Sequence, residues 1–507
     1  MRHVQLIAIS GAIGSSVFIS IGNPLTGGPL ALLIGVSVWS SVVWALSNCL
    51  IEMCTLLPVD GGFVHYADRF LDPAVGFSLG WNYFISQVAL ICSELTAFNI
   101  IVAYWDPNLN PAICIATGLV LLVIVQVVNV RVYGESEFWI SILKVFMIFG
   151  AFLFTIITMC GANPIHDRYG FRYWKDPGPF ASSTASGRAY DVWKALQWGA
   201  FAITGPDYIA LVAGEVKHPR RVIPKAYRAT IFRIIAFYIG GAFFVGINAP
   251  SNSHSLLSAT TKTARSPYVI NMTRLKISSA LPSVLSAGLL ISLFSSGSSM
   301  AFAASRTLYA LAIQGQAPKF VARTNRHGLP YVCVLITLAL GCLSFLALSS
   351  GTSKVLVWLI NLTTATQLLT QIVVAASYIR FRAGMKAQNL GRDFLPAKGY
   401  LQPWSAWYVL FWASFALIFS GYFFFAPGKF SVTDFLFTYG AVFIFIALFI
   451  LWKCKGARHV DQPFGIPAIG MDFTSNLQEL DEMTRMEDEK WASEHAGLID
   501  RIVDRIF

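Results

Sequence analysis

Four ionisable residues stand in long apolar runs, where charge is expensive and is a functional candidate by default. Lys144 lies inside FWISILKVFMIFGAF (138–152), Glu94 inside ALICSELTAFN (89–99), Asp207 directly after Gly205-Pro206, and Glu52 near the end of another run. A buried ammonium can trade a proton with a carboxylate or with solvent. Lys144 is therefore the candidate for coupling proton movement to a second event. Snorkelling to an interface is the alternative reading, and the depth of Lys144 in its run argues against it. Glu94 needs hydrogen bonds or a proton, and Asp207 can shape or gate whatever Gly-Pro creates beside it. Glu52 reads as a structural partner for a basic loop.

Two segments cannot continue as ordinary helices. Ser10-Gly11-Ala12-Ile13-Gly14-Ser15-Ser16 gathers small and polar residues in mid-run, and Ala202-Ile203-Thr204-Gly205-Pro206-Asp207 places Gly-Pro in mid-run. Proline removes a backbone donor and clashes with the preceding turn. Irregular backbone at membrane depth is tolerated only where it faces protein or a wet cavity. Taken singly, the first has a packing reading and the second a kink reading. Taken together they open two successive sets of five apolar runs, which is the pattern of a transport site built on inverted repeats. Such breaks free amides, which suit a carboxylate, and carbonyls, which suit an ammonium. An α-amino acid carries both groups on one carbon.

These residues need elements that cross a bilayer, and the composition supplies them. The 507 residues are 55% hydrophobic and only 12% charged, with a mean hydropathy of +0.61. Ordinary soluble domains carry roughly a quarter charged residues. Runs long enough to span lipid fall at about 4–22, 30–57, 74–105, 111–131, 135–160, 191–213, 226–249, 281–313, 331–349, 354–379, 405–425 and 432–453. The reading is an all-α integral membrane protein of about 12 transmembrane helices, with helices 1 and 6 broken.

The net charge of +11 comes from clusters between apolar runs and not from one dense patch, so nucleic acid is not the partner implied. Basic residues at 217–228, 319–326 and 380–398 all fall on the side of the N-terminus, which the positive-inside rule makes cytoplasmic. Both termini are then cytoplasmic. Residues 1–453 form the membrane domain and 454–507 a cytoplasmic tail. The tail ends in LIDRIVDRIF, with Ile499, Ile502, Val503 and Ile506 at helical spacing. That suits a short amphipathic helix on the membrane or on a loop, or a docking site for regulatory partners. The eight cysteines show no metal spacing, and most fall inside apolar runs and read as buried hydrophobes. Ser292, Ser295, Ser296, Ser298 and Ser299 form a polar stripe that suits a cavity wall or helix–helix hydrogen bonding equally well. Asn271-Met-Thr is a candidate glycosylation acceptor. Nothing resembles a cleavable signal peptide, a phosphate loop, a metal cluster or a nucleophile elbow. No enzyme activity, cofactor or metal is expected.

The chain resembles the fungal amino-acid permeases of the amino acid–polyamine–organocation superfamily. The likeness is carried by RHVQLIAISGAIGSSVF (2–18), EMCTLLPVDGGFVHYADRFLDPAVGFSLGWNYF (52–84), FRYWKDPGPF (171–180), AGEVKHPRRVIPKAYR (213–228), SRTLYALAIQGQAPKF (305–320) and YIRFR (378–382). It implies a five-plus-five inverted-repeat core with two further helices, and proton-coupled amino-acid uptake at the plasma membrane. It also implies that the substrate carboxylate meets Gly14, Ser15 and Ser16. The amino group would meet carbonyls near Ala12 and in Phe201, Ala202, Ile203 and Thr204. Lys144 takes the place where sodium-coupled relatives hold an ion. Ser10, Ser15 and Ser16 depart from the usual GGxIGTGLF, Gly205-Pro206-Asp207 from GTE, and Ser298 lies near a usual Asn. These departures surround the cavity and bear on substrate choice. Many relatives carry an N-terminal cytoplasmic tail, so a first run beginning this close to Met1 is expected of a shortened form or an incomplete gene model.

Two other functions fit the same residues. A nutrient receptor would use the site to sense an amino acid with little transport. A carrier of a polyamine, choline or similar cation would leave the span 1 amides without an anion to meet.

Overall fold

The structure is a computed structural model. It describes residues 16–253 and 266–474, apart from 60, 107, 128–129, 212, 217, 326–327, 351, 426–429 and 457–464, together with 256, 482, 485 and 486. Ala12, Gly14, Ser15 and the helical pattern at 499–506 lie outside the described residues.

Every described element is helical. After a π-helical turn at Ser16–Ser20 come α1 (Gly22–Leu25), α2 (Pro29–Leu56), α3 (Gly62–Phe70), α4 (Pro73–Val102), α5 (Pro111–Val127) and α6 (Val130–Met159). Then follow α7 (Ala185–Ala202), α8 (Pro206–Leu211), α9 (Pro219–Asn248), α10 (Pro267–Arg274) and α11 (Ala280–Ile313). The last four are α12 (Tyr331–Leu346), α13 (Thr352–Ala387), α14 (Trp404–Phe419) and α15 (Val432–Gly456). Proline opens many of them, where its missing N–H costs nothing and its fixed φ suits the first turn. Among the described residues seven helices are long and apolar enough to cross a membrane, and four shorter apolar helices accompany them.

The burial pattern separates centre from rim. In α4, 83% of the most apolar stretch is buried, against 11% in α15. α4 runs between α11 and α13 and forms the middle of the bundle. Large exposed side chains such as Phe146, Phe232 and Phe411 face outward, as lipid-facing residues do.

Some boundaries differ from the sequence reading. Arg380, Arg382 and Lys386, expected in a loop, lie on a continuation of α13 to Ala387. Polar contacts surround this end of the helix. Glu52 is fully buried in α2 and accepts from Arg392 Nη2 at 2.6 Å, from the Gly399 amide at 2.9 Å and from the Tyr378 hydroxyl. Arg380 donates to the Ile466 carbonyl. Asn271 is buried and donates to Tyr169 and Asn248, so the glycosylation reading is corrected: its amide is inside the protein. Five of the cysteines are buried, as expected for most of them, while Cys160, Cys342 and Cys454 are exposed.

Residues 465–474, beyond α15, fold back against the bundle on what we call the tail face. Phe473 is buried against Phe70 of α3 and Phe381 of α13, with ring centroids 5.6 and 5.5 Å apart. Arg69 pairs with Asp472 at 2.8 Å, and Gln388 Nε2 donates to the Met471 carbonyl at 2.6 Å. Asp72 caps α4 by accepting from the Ala74 amide at 2.8 Å, and it also accepts from Lys453 Nζ at 2.6 Å and the Gly465 amide at 3.1 Å.

Burial pulls the Asp72 carboxyl upward, but Lys453 and the two amides outweigh it and hold the group below the ordinary carboxylate range. A depressed carboxylate stabilises the fold above its unfolded value of about 3.9, and that contribution disappears as pH falls through the folded value. Asp72→Asn should therefore cost about 1.5–3 kcal/mol at neutral pH. The corresponding shift in a thermal melt of the detergent-solubilised protein is about 2 °C. The gap between variant and parent should narrow as the melts are repeated below about pH 4.

Candidate functional site

The break expected at Gly205-Pro206 is present. α7 ends at Ala202, Ile203 leaves helical geometry at φ −89° and ψ 88°, and α8 starts at Pro206. Proline cannot donate to the preceding turn and disfavours helical backbone in the residue before it. That residue is Gly205, at φ +139°, a conformation L side chains rarely adopt.

The backbone carbonyls on the two sides of the break meet tyrosines of α9. Tyr238 donates to the Ala202 carbonyl at 2.8 Å and also hydrogen-bonds with Ser16. Tyr227 donates to the Pro206 carbonyl at 3.1 Å and lies 3.7 Å from the Cys54 sulfur. Tyr238 thus ties the first described residue of span 1 to the end of α7. The four residues Phe201, Ala202, Ile203 and Thr204 are all present at the break, but they are not equivalent, because the Ala202 carbonyl already has a hydroxyl partner. Nothing in the sequence singles out Tyr238 except a tyrosine in an otherwise apolar run.

Asp207 is the second residue of α8 and is buried. Tyr83, Tyr208 and Tyr227 feel its charge, and its Oδ1 has no hydrogen-bond partner among the described residues. A buried orphan acceptor marks a place where a ligand or water belongs. Tyr208 donates to Gln87 Oε1 of α4 at 2.9 Å and senses Glu94 one helical stretch further along. Glu94 is buried, and Gly297 of α11 lies against it.

Lys144 is completely buried in α6. The carboxylates that act on it most strongly are Glu137, then Glu94. Glu137 stands seven residues earlier in the same helix, hence on the same face two turns away. It accepts from Ser295 Oγ of α11 at 2.5 Å. Sequence reasoning missed Glu137, although that seven-residue spacing from Lys144 was the available signal. Ser298 is engaged as well, since Gln126 Nε2 of α5 donates to its carbonyl at 2.7 Å and to its Oγ at 3.2 Å. The serine stripe therefore contributes to helix–helix hydrogen bonding through at least two of its members.

Gly205 yields a test that separates strain from crowding. A Cβ added there would meet only Thr230 Cγ2, at 3.9 Å, so space is ample. Gly205→Ala should nevertheless destabilise the protein by about 1–3 kcal/mol through backbone strain alone. A fluorescence-detected thermal melt should show the loss, and an unchanged melt would mean the break does not hold this conformation.

Residues 3–463 match the sequence profile of the family described as Amino acid permease. The chain is 41% identical over 458 residues to a proline-specific permease of Emericella nidulans, covering 88% of this chain and 83% of that one. It is 36% identical over 499 residues to a general amino acid permease of Saccharomyces cerevisiae, covering 95% and 82%. A lysine-specific permease of Saccharomyces cerevisiae is 32% identical over 97% of this chain and 81% of its own length. Bilayer-length helices, an interrupted helix and a profile match across nearly the whole bundle agree: the chain belongs to the amino acid permease family of the amino acid–polyamine–organocation superfamily, a multi-pass membrane transporter and not an enzyme.

Proposed function

We propose that the chain imports an amino acid together with a proton across the plasma membrane. It crosses the bilayer about twelve times on a five-plus-five inverted-repeat core, with residues 1–453 as the membrane domain and 454–507 as a cytoplasmic tail. The tail face is the cytoplasmic face, and both termini lie there. The substrate carboxylate is held by the amides of Gly14, Ser15 and Ser16. Its ammonium faces Ala12 and the break at Phe201–Thr204, with the Ala202 carbonyl the least available of these because Tyr238 occupies it.

The observation that carries the coupling is the buried cluster of Lys144, Glu137 and Glu94. A cation and two carboxylates in a low-dielectric interior can share or release one proton at a time, as coupled sites do. Glu94 reaches from this cluster toward Tyr208 of the broken helix, so a proton change at Lys144 is felt where substrate binds. Asp207 shapes the cavity and Ser298 lines its far wall. The cargo is a neutral amino acid. Proline is the first to try, because curated relatives from Emericella nidulans and Saccharomyces cerevisiae are named proline-specific.

The test is uptake of labelled proline, then of an amino-acid mixture, in cells lacking their own permeases at two external pH values. Saturable uptake should rise at the more acid pH, because the proton enters with the substrate. Lys144→Met should lower the initial rate at least about tenfold and remove the pH dependence. Equal uptake at both pH values in the parent would overturn proton coupling. Binding without accumulation, in protein shown to reach the surface, would replace import with sensing.

A further inference from the structure

A cavity of about 370 Å³ lies between α7, α13 and the segment Ser20–Asn23, one helical turn or more from the break on the side away from the tail. We infer that this cavity is a second, outer binding site for the incoming amino acid, with Lys194 taking its carboxylate. The inference rests on the import reading above and adds a site to it.

The size suits one small molecule, at the lower end of ligand pockets. Among the described lining residues Lys194 is the one charged side chain. It stands on α7 two turns before Ala202, and its Nζ donates to Thr26 Oγ1 at 2.7 Å. An ammonium has three donors, so Thr26 fixes the group while leaving donors for an anion. Asp191 also acts on Lys194, but it accepts from the Ser182 amide at 3.1 Å and does not line the cavity. A cation in a cavity with no carboxylate among its described lining residues attracts a carboxylate and repels a polyamine or choline. Trp193 and Tyr190 line the cavity where the rest of the molecule would lie. Across the cavity, Thr438 Oγ1 of α15 is buried with no hydrogen-bond partner among the described residues. A buried hydroxyl left unpaired at a cavity wall points to a polar ligand.

The floor is also built. Trp198, one turn beyond Lys194, donates from Nε1 to Ser20 Oγ at 2.9 Å, and Ser20 donates to the Ser16 carbonyl at 3.2 Å. That string joins α7 to span 1 and separates the cavity from the break. An amino acid resting on it would wait above the central site until Trp198 moves.

The experiment uses the full chain in nanodiscs and labelled proline, with equilibrium binding and vesicle uptake measured on the same preparations. The parent should hold two molecules per chain at saturation. Lys194→Met should hold one and raise the uptake KM roughly tenfold, as expected for a lost charge-assisted bond. Lys194→Arg should restore both values. Asn361→Trp, which fills the cavity from α13, should also reduce the stoichiometry to one, so the conclusion does not hang on a single variant. Gel-filtration profiles identify any variant that has not folded. A parent that binds one molecule, with KM unchanged in both Lys194→Met and Asn361→Trp, overturns the outer site and leaves import standing. A parent that binds no labelled amino acid at all overturns import and the outer site together.

Discussion

Inside a bilayer no water is available to satisfy a backbone carbonyl, so a helix can stop there only if the protein supplies the missing donors. The gap at Ile203–Gly205 imposes that requirement, and Tyr238 of a neighbouring helix meets it at the Ala202 carbonyl. Tyr238 and Tyr227 grip the two sides of the gap, at Ala202 and Pro206. The break is therefore not a loose hinge. It is a polar opening with one carbonyl already occupied and an acid, Asp207, at the start of the second half.

A second constraint of the same kind governs the charges. Glu137 and Lys144 are buried two turns apart on α6 and Glu94 on α4, and an unpaired charge at any of these places would be costly. Their mutual attraction and the Ser295 hydroxyl offset the loss of water. The serines of α11 serve this end because a short hydroxyl both lets helices approach and donates across the gap. Charge and packing are thus one arrangement.

On the tail face the problem is simpler, because water is near. There the chain returns after α15 and inserts Phe473 between Phe70 and Phe381, with Asp472 on Arg69. The same α3 that receives the tail presses against the broken span: Gly62, at φ +38°, sits where a Cβ would lie 1.9 Å from the Ala210 carbonyl of α8. Only glycine permits that approach. The tail segment and the interrupted helix are therefore joined through one short, tightly packed helix.

Much of this is legible in the sequence itself. Apolar run length marks helices because lipid demands internally bonded backbone, and Gly205-Pro206 marks the break because proline lacks a donor whatever surrounds it. The motifs were specific enough to name the family, and Lys144 and Glu94 stood out because charge in an apolar run is rare. What the tertiary structure alone decided are the pairings. A tyrosine in an apolar run has no preferred partner in sequence, yet Tyr238 binds Ala202 and Ser16. Glu137 became the chief partner of Lys144, Asn271 turned inward, and residues 465–474 docked on α3 and α13. Local composition determines whether a segment is helical and how deep it lies. Which side chains meet depends on how helices pack, and several of those contacts join residues hundreds of positions apart, as Glu52 with Arg392 and Arg69 with Asp472 do.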